Sequence, residues 1–338
     1  MGSTRPGALQ GVRQLAERIA LAAFTALLLP HPAKGEDLPV LAEIPAIGRV
    51  FSGTLSTQEL SRGGPTFLVM VGTDTVQAWP IGSEAEPIAS PALRYLFEPT
   101  WGDFDGDGDL DIAVAVPSAG VLGGGSREIA ILKGDGAGTF VAGAPLNVSG
   151  GASNAATVAA LAAGDFDGDG RTDLSVLSFQ GSRALLLFHR GRGALEFEAP
   201  RPTDIGPSAA RWLTSGDVDG DGRTDLVVSS RDLIAPGVFG TTSVWRSAGD
   251  GTFAAGPTFP GPSAFPSILA DLDADGRPDL VDLNRLGSGA ECCTYRLQVH
   301  RNQGGGNFGP WASPDVDRGR PFVADTDGDG RLDVVVPQ

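Results

Sequence analysis

Residues 216–228 read Gly-Asp-Val-Asp-Gly-Asp-Gly-Arg-Thr-Asp-Leu-Val-Val, or GDVDGDGRTDLVV. The same pattern returns four more times without a gap. It stands as GDFDGDGDLDIAV from Gly102, GDFDGDGRTDLSV from Gly164, ADLDADGRPDLVD from Ala270 and ADTDGDGRLDVVV from Ala324. The starts lie 62, 52, 54 and 54 residues apart. Five copies in one register make this an internal repeat rather than a scatter of acidic turns.

The rest of each interval repeats as well. An apolar, β-rich run such as Leu226-Val227-Val228 follows each acidic loop. A second run ends in a basic residue, at Lys133, Arg190, Arg246 and Arg301. A Gly-rich turn then leads to an aromatic, at Phe140, Phe197, Phe253 and Phe308. The order is strand, acidic loop, strand, link, strand, Gly turn, strand, with no helical period of 3.6. An interval of about fifty residues holding four short strands is one blade of a β-propeller. The expected fold is all-β, a six-bladed propeller in residues 36–338, with seven blades or an incompletely closed array as alternatives. Acidic loops join the first and second strands of five blades, which begin near residues 92, 154, 207, 262 and 318. Residues 44–91 read as a further blade without metal. Phe67 to Val71 fill its second strand and Val76 to Trp79 its third, and Thr54 to Gly64 stand where the acids would be. The sixth blade has two strands before Gln338, and Asp37 to Ala42 could lend it one.

The loop chemistry points to calcium. Carboxylates fall at loop positions 1, 3, 5 and 9, and alternate positions in a tight turn aim at one centre. The first loop offers Asp103, Asp105, Asp107 and Asp111, with Asp109 at position 7. The others offer Asp165, Asp167, Asp169 and Asp173 with Arg171; Asp217, Asp219, Asp221 and Asp225 with Arg223; Asp271, Asp273, Asp275 and Asp279 with Arg277; and Asp325, Asp327, Asp329 and Asp333 with Arg331. At position 7 the backbone carbonyl is the candidate donor. Glycine at position 6 permits the sharp turn. Hard oxygen donors suit Ca²⁺, and no loop holds a His or Cys for a softer metal. Like charges this close repel by a few kcal/mol per pair at an effective dielectric of about 20, so a cation is expected in each, about five in all. An EF-hand is excluded: position 12 is Val114, Val176, Val228, Asp282 or Val336 rather than Glu, and the flanks are strands.

Composition agrees. Gly 49 and Pro 25 suit many short strands and turns. The formal charge of −16 argues against nucleic acid and anionic membranes. About half of the 41 acids lie in the loops, so bound calcium would cancel most of that charge. At the start of the chain, Arg5, Arg13 and Arg18 precede an apolar run from Ile19 to Leu29 and a candidate cleavage site at Ala33-Lys34-Gly35. This predicts a signal peptide over residues 1–35, and a secreted, periplasmic or cell-surface protein not inserted in a membrane after cleavage. The run is shorter than the ~20 residues that span a bilayer, which disfavours an uncleaved anchor. The two cysteines, Cys292 and Cys293, are adjacent. They form no disulfide framework; a vicinal disulfide, an intermolecular pair and free thiols all remain open.

The run GDFDGDG followed by Asp-Leu and a strand resembles the FG-GAP or VCBS repeat of integrin α-subunit propellers, over roughly residues 40–338. The resemblance implies that the metal loop joins the first two strands of a blade, on the face opposite most ligand contacts, and that its calcium is structural.

Catalytic patterns are sparse. Beyond the leader only His189 and His300 remain, at the repeat position held elsewhere by Leu132 and Trp245, which reads as architecture. The expected function is therefore a non-enzymatic adhesion or ligand-binding module for a protein or a surface glycan. The competing classes are a lectin and a polysaccharide-active, lyase-like enzyme. Three links between second and third strands are long, and binding surfaces of repeat folds gather in such insertions. They nominate Arg127, Arg231, Phe239, Arg285 and Tyr295 as ligand contacts, Tyr295 beside Arg296 being the one candidate base for a lyase.

Overall fold

The computed structural model describes residues 53–64, 66–72, 76–80, 88–90, 99–117, 126–148, 157–207, 210–230, 240–260, 266–286, 294–316, 321–326 and 330–336. All regular structure among them is β. The signal segment, the Asp37 to Ala42 strand, Arg231, Phe239 and the Cys292–Cys293 pair lie outside the described residues.

Each repeat folds as an antiparallel meander. β1 (Gly53–Glu59), β2 (Thr66–Gly72), β3 (Val76–Pro80) and β4 (Ile88–Ser90) make the first sheet. β5 (Thr100–Gly102), β6 (Asp111–Pro117), β7 (Ser126–Gly134) and β8 (Phe140–Ala142) make the second, with β9 (Leu146–Asn147) also on β7. The third holds β10 (Thr157–Gly164), β11 (Asp173–Gln180) and β12 (Arg183–His189). A side hairpin of β13 (Gly191–Gly193) and β14 (Glu196–Phe197) precedes its outer strand, β15 (Arg201–Pro207). The fourth has β16 (Ala210–Gly216), β17 (Asp225–Ser230), β18 (Thr241–Ser247) and β19 (Phe253–Pro260). The fifth has β20 (Ile268–Ala270), β21 (Asp279–Leu286), β22 (Thr294–Asn302) and β23 (Phe308–Ala312), with β24 (Asp315–Val316) on β22. β25 (Phe322–Ala324) pairs with β26 (Asp333–Val335).

In sheets two to six the acidic loop joins the first strand to the second. In the first sheet that connection is a short turn after Leu60, and Thr54 to Glu59, expected in place of the acids, are part of β1. β2 and β3 occupy the strand positions expected for them.

Burial explains the strand sequences. Second strands such as β17 are buried along their whole length, because a neighbouring sheet covers each face. Alternate residues serve alternate neighbours. Ile112 and Val114 of β6 pack on Leu60, Phe67 and Val69 of the first sheet, while Ala113 and Ala115 pack toward Val158, Leu174 and Val176 of the third. Similar apolar clusters join sheets three and four and sheets five and six. The aromatic after each Gly turn anchors these seams. Phe197 stacks edge-on against Phe104, Phe253 against Phe166 and Phe308 against Phe259, each time reaching the preceding sheet.

The seam between sheets four and five differs. Its apolar cluster is small, built on Val218, Val227, Val244 and Leu280. Beside it lie buried Ser229, Thr242, Ser267, Asp282 and Asn284. Ser267 hydrogen-bonds both Asp282 and Ser229, which satisfies polar groups that would otherwise be costly to bury. Asp282 stands where the other loops place valine.

Candidate metal centre

Each acidic loop is a run of tight turns held by its own first aspartate. Asp217 Oδ1 accepts from the N–H of Gly220 at 2.7 Å and of Asp221 at 3.2 Å, and its Oδ2 accepts from Gly222 at 2.9 Å. Asp103, Asp165 and Asp271 bind their loops in the same way, and Asp325 Oδ2 accepts from Gly330 at 3.0 Å. The position-6 glycines take φ between 84° and 92°, the left-handed region that side chains avoid. Position 4 is left-handed too. It is Gly106, Gly168 and Gly220 in the first three loops, but Ala274, at φ 61°, in the fourth.

Position 9 has a different role. Asp111, Asp173, Asp225 and Asp279 are fully buried at the start of the second strand. Their Oδ2 atoms accept from the position-2 N–H groups of Phe104, Phe166, Val218 and Leu272 at 2.9–3.1 Å. Their Oδ1 atoms accept from Gly134, Gly191, Ser247 and Asn302 at 2.7–2.8 Å, the residues just after the basic end of each third strand. One carboxylate thus ties the loop to the middle of its own sheet. Burial pushes Asp111 up to about 6, Asp173 to about 7 and Asp225 to about 6, against the opposing pull of their backbone donors. Asp279 is raised for the same reason.

The carboxylates converge. One oxygen each from Asp165, Asp167 and Asp173 lie within 4.8 Å of one another, as do those of Asp217, Asp219 and Asp225 and of Asp271, Asp273 and Asp279. In the first loop the group is Asp103, Asp105 and Asp107. Such clusters can hold a metal ion. The donors fit a hard cation, being carboxylate oxygens throughout. Asp219 Oδ1 and Asp273 Oδ1 are buried without a hydrogen-bond donor among the described residues, the position a cation would satisfy.

Residues 103–176 and 165–228 match the family described as FG-GAP-like repeat, one repeat and its successor overlapping at the second loop. These are FG-GAP-like repeats. Solved structures place them in a propeller fold. A lectin from Agrocybe aegerita, described as recognising non-reducing terminal N-acetylglucosamine, superposes with a TM-score of 0.50 at 17% identity, covering 84% of this chain and 74% of its own. The Dos1 propeller superposes at 0.51 and 12% identity, covering 84% and 76%. At these identities the likeness shows the fold alone. No curated protein matches the chain.

Within the acidic loops, position 5 largely stays outside the clusters. Asp169 pairs with Arg190 at 2.9 Å, and Asp221 and Asp275 pair with the position-7 arginines Arg223 and Arg277. In the loop whose position 7 is Asp109, Asp107 remains in the cluster and also pairs with Lys133 at 2.7 Å. Asp109 itself is not grouped; burial and the charges of Asp107 and Asp135 raise it. Lys133, Arg190 and Arg301 reach the position-3 carboxylates Asp105, Asp167 and Asp273, so the recurring basic residue pairs with the loop acids. Arg171 instead donates to the Arg192 carbonyl at 3.3 Å. In the last loop, Thr326 N–H donates to Asp333 at 3.0 Å, and Arg331 is exposed. Asp327 and Asp329 lie outside the described residues.

The nominated ligand contacts are less gathered. Arg127 belongs to β7 and Arg285 to β21, with side chains outside the described residues, as are Arg231 and Phe239 altogether. Tyr295 is half-buried in β22 against the apolar cluster of the last two sheets. His189 is fully buried and His300 packs on Phe259, and burial depresses both, His189 to about 4. His300 is thereby built into the seam between the fourth and fifth sheets.

The position-2 residues and Ser247 and Asn302 escaped the sequence reading. Their signal was faint: an apolar residue follows the first aspartate in four of the five loops, with Thr326 in the last, and Gly, Gly, Ser and Asn follow the basic residues.

Proposed function

We propose that this chain is an exported, calcium-loaded propeller of six blades that binds a protein or glycan ligand without chemistry of its own. The observation that supports it most is the recurrence of clustered carboxylates at one place in successive sheets, some of their oxygens buried and undonated. Calcium accepts six to eight oxygen donors in flexible geometry, whereas magnesium gives up its waters reluctantly, which favours calcium here. Asp103, Asp105, Asp107 and Asp111, Asp165, Asp167 and Asp173, Asp217, Asp219 and Asp225, and Asp271, Asp273 and Asp279 would hold the ions. Asp325 and Asp333 with their neighbours would hold a fifth. Bound there, the ion supplies only charge and cross-linking, drawing the loop onto the second strand. Elemental analysis of the protein dialysed against dilute calcium tests this; about five calcium ions per chain are expected, and none above background would refute it.

The ligand surface is proposed at the other end of the sheets, where β6–β7, β17–β18 and β21–β22 connect, with Arg127, Arg231, Phe239, Arg285 and Tyr295. That a lectin shares the fold makes glycans the first ligands to screen. Glycan-array binding without cleavage of anionic polysaccharides is the expected result, and cleavage of any of them would assign the chain to enzymes instead.

A further inference from the structure

Three of the acidic loops are joined by one unbroken chain of hydrogen bonds. Asp173 Oδ2 accepts from Phe166 N–H at 3.0 Å, and the Phe166 carbonyl accepts from the Ser247 hydroxyl of the next sheet. Ser247 N–H donates to Asp225 Oδ1 at 2.8 Å, and Asp225 Oδ2 accepts from Val218 N–H at 3.0 Å. The Val218 carbonyl accepts from Asn302 Nδ2 at 2.9 Å, and Asn302 N–H donates to Asp279 Oδ1 at 2.8 Å. Asp279 Oδ2 closes the run on Leu272 N–H at 3.1 Å. The position-9 carboxylates of three successive loops are therefore linked through two buried side chains, Ser247 and Asn302.

Backbone bonds run beside the chain. Thr224 N–H donates to the Asp165 carbonyl at 2.7 Å and Gly306 N–H to the Val218 carbonyl at 3.1 Å. The chain stops at the loop of residues 103–111. The residue that would carry the link there is Gly191, whose N–H serves Asp173 but which has no side chain to reach the Phe104 carbonyl. Between those two loops the described contact is Ala194 N–H to the Asp105 carbonyl, at 3.2 Å.

Resting on the calcium reading above, we propose that the loops at 165–173, 217–225 and 271–279 fill cooperatively through Ser247 and Asn302, while the loop at 103–111 fills by itself. An ion in one loop fixes its position-9 carboxylate. That carboxylate holds Ser247 or Asn302, which in turn holds the position-2 carbonyl of the loop before. The next ion then meets a loop already ordered, and ordering done once is not repeated. Coupling of this kind is reciprocal, so each loop gains from either neighbour.

Calorimetry with calcium on the full chain separates the outcomes. The unaltered protein should bind with a Hill coefficient above 1. Ser247→Ala and Asn302→Ala each remove one link and keep the backbone donor. Each should weaken apparent calcium affinity about two- to tenfold, the worth of one hydrogen bond, and move the coefficient toward 1. Asp103→Ala should remove one ion and leave the coefficient of the rest unchanged. Its melting curve in saturating calcium reports that the chain is folded, as it does for the other two variants. A second comparison does not depend on the link variants: Asp271→Ala should weaken binding at the two preceding loops, although it touches neither. Calcium bound at independent sites, with the three loops indifferent to Asp271→Ala, overturns the coupling and leaves the calcium reading standing. No calcium bound at all overturns both.

Discussion

Among the loop aspartates, position 9 and position 5 look alike in sequence and differ in consequence. Asp225 is fully buried with both oxygens accepting backbone N–H groups, whereas Asp221 is exposed and pairs with Arg223. Removing Asp225 strands two buried donors at about 1–3 kcal/mol each. Asp225→Ala should therefore cost about 3 kcal/mol in urea unfolding without calcium, and Asp221→Ala less than about 1 kcal/mol. Equal losses would show that position 9 is a metal ligand and nothing more. A second residue stands against its local geometry. Ala274 holds a left-handed φ at a cost of about 1–2 kcal/mol, part of which glycine returns as unfolded-state entropy. Ala274→Gly should raise stability by about 0.5–1 kcal/mol, and a loss there would mean that the alanine methyl makes a contact worth more than the strain. The carboxylates were legible in the sequence because their spacing is their chemistry. Burial of position 9 was not, since it depends on the N–H of a residue about twenty positions away, which no short pattern contains.

At the scale of the element, the acidic loop is a hinge between two strands whose charge must be neutralised by an ion, a basic side chain or protons. Without metal, burial raises Asp111, Asp173 and Asp225 to between about 6 and 7, so the folded chain binds protons that the unfolded chain releases above about pH 4. Their contribution to stability is complete below the unfolded value and is lost as pH rises through 6 to 7. The calcium-free protein should melt at a higher temperature at pH 5 than at pH 8, and saturating calcium should reverse that order, because the ion needs deprotonated ligands. A metal-free melting temperature that climbs from pH 5 to pH 8 would contradict this. Strand order was readable from the sequence, since apolar runs, basic ends and Gly turns recur in step. The first sheet was read less well: its opening strand runs through Thr54 to Glu59, because without acids nothing in the sequence marked where the strand gave way to the turn. Asp282 was visible as an exception at position 12, but its place beside Ser267 in the fourth seam required the packing of two sheets.

The molecule as a whole is a series of sheets, each covering the next, and the acidic loops lie along the line where successive sheets meet. The fold was legible because radial repetition writes the same unit many times, so errors in one copy are corrected by the others. Whether the series closes was not, because closure would rest on contacts made once. If calcium fills the loops, its contribution is on the scale of total stability. At about 1 mM calcium and a dissociation constant of about 0.1 mM, each site adds about 1.4 kcal/mol, and about five sites add about 7 kcal/mol against a typical total of about 5–15 kcal/mol. The most direct measurement is calorimetric melting of the protein in EDTA, in calcium, and in EDTA followed by excess calcium or magnesium. The melting temperature should fall by about 10 °C or more in EDTA and return with calcium but not with magnesium. Superimposable curves in EDTA and calcium would contradict a structural role for calcium in these loops.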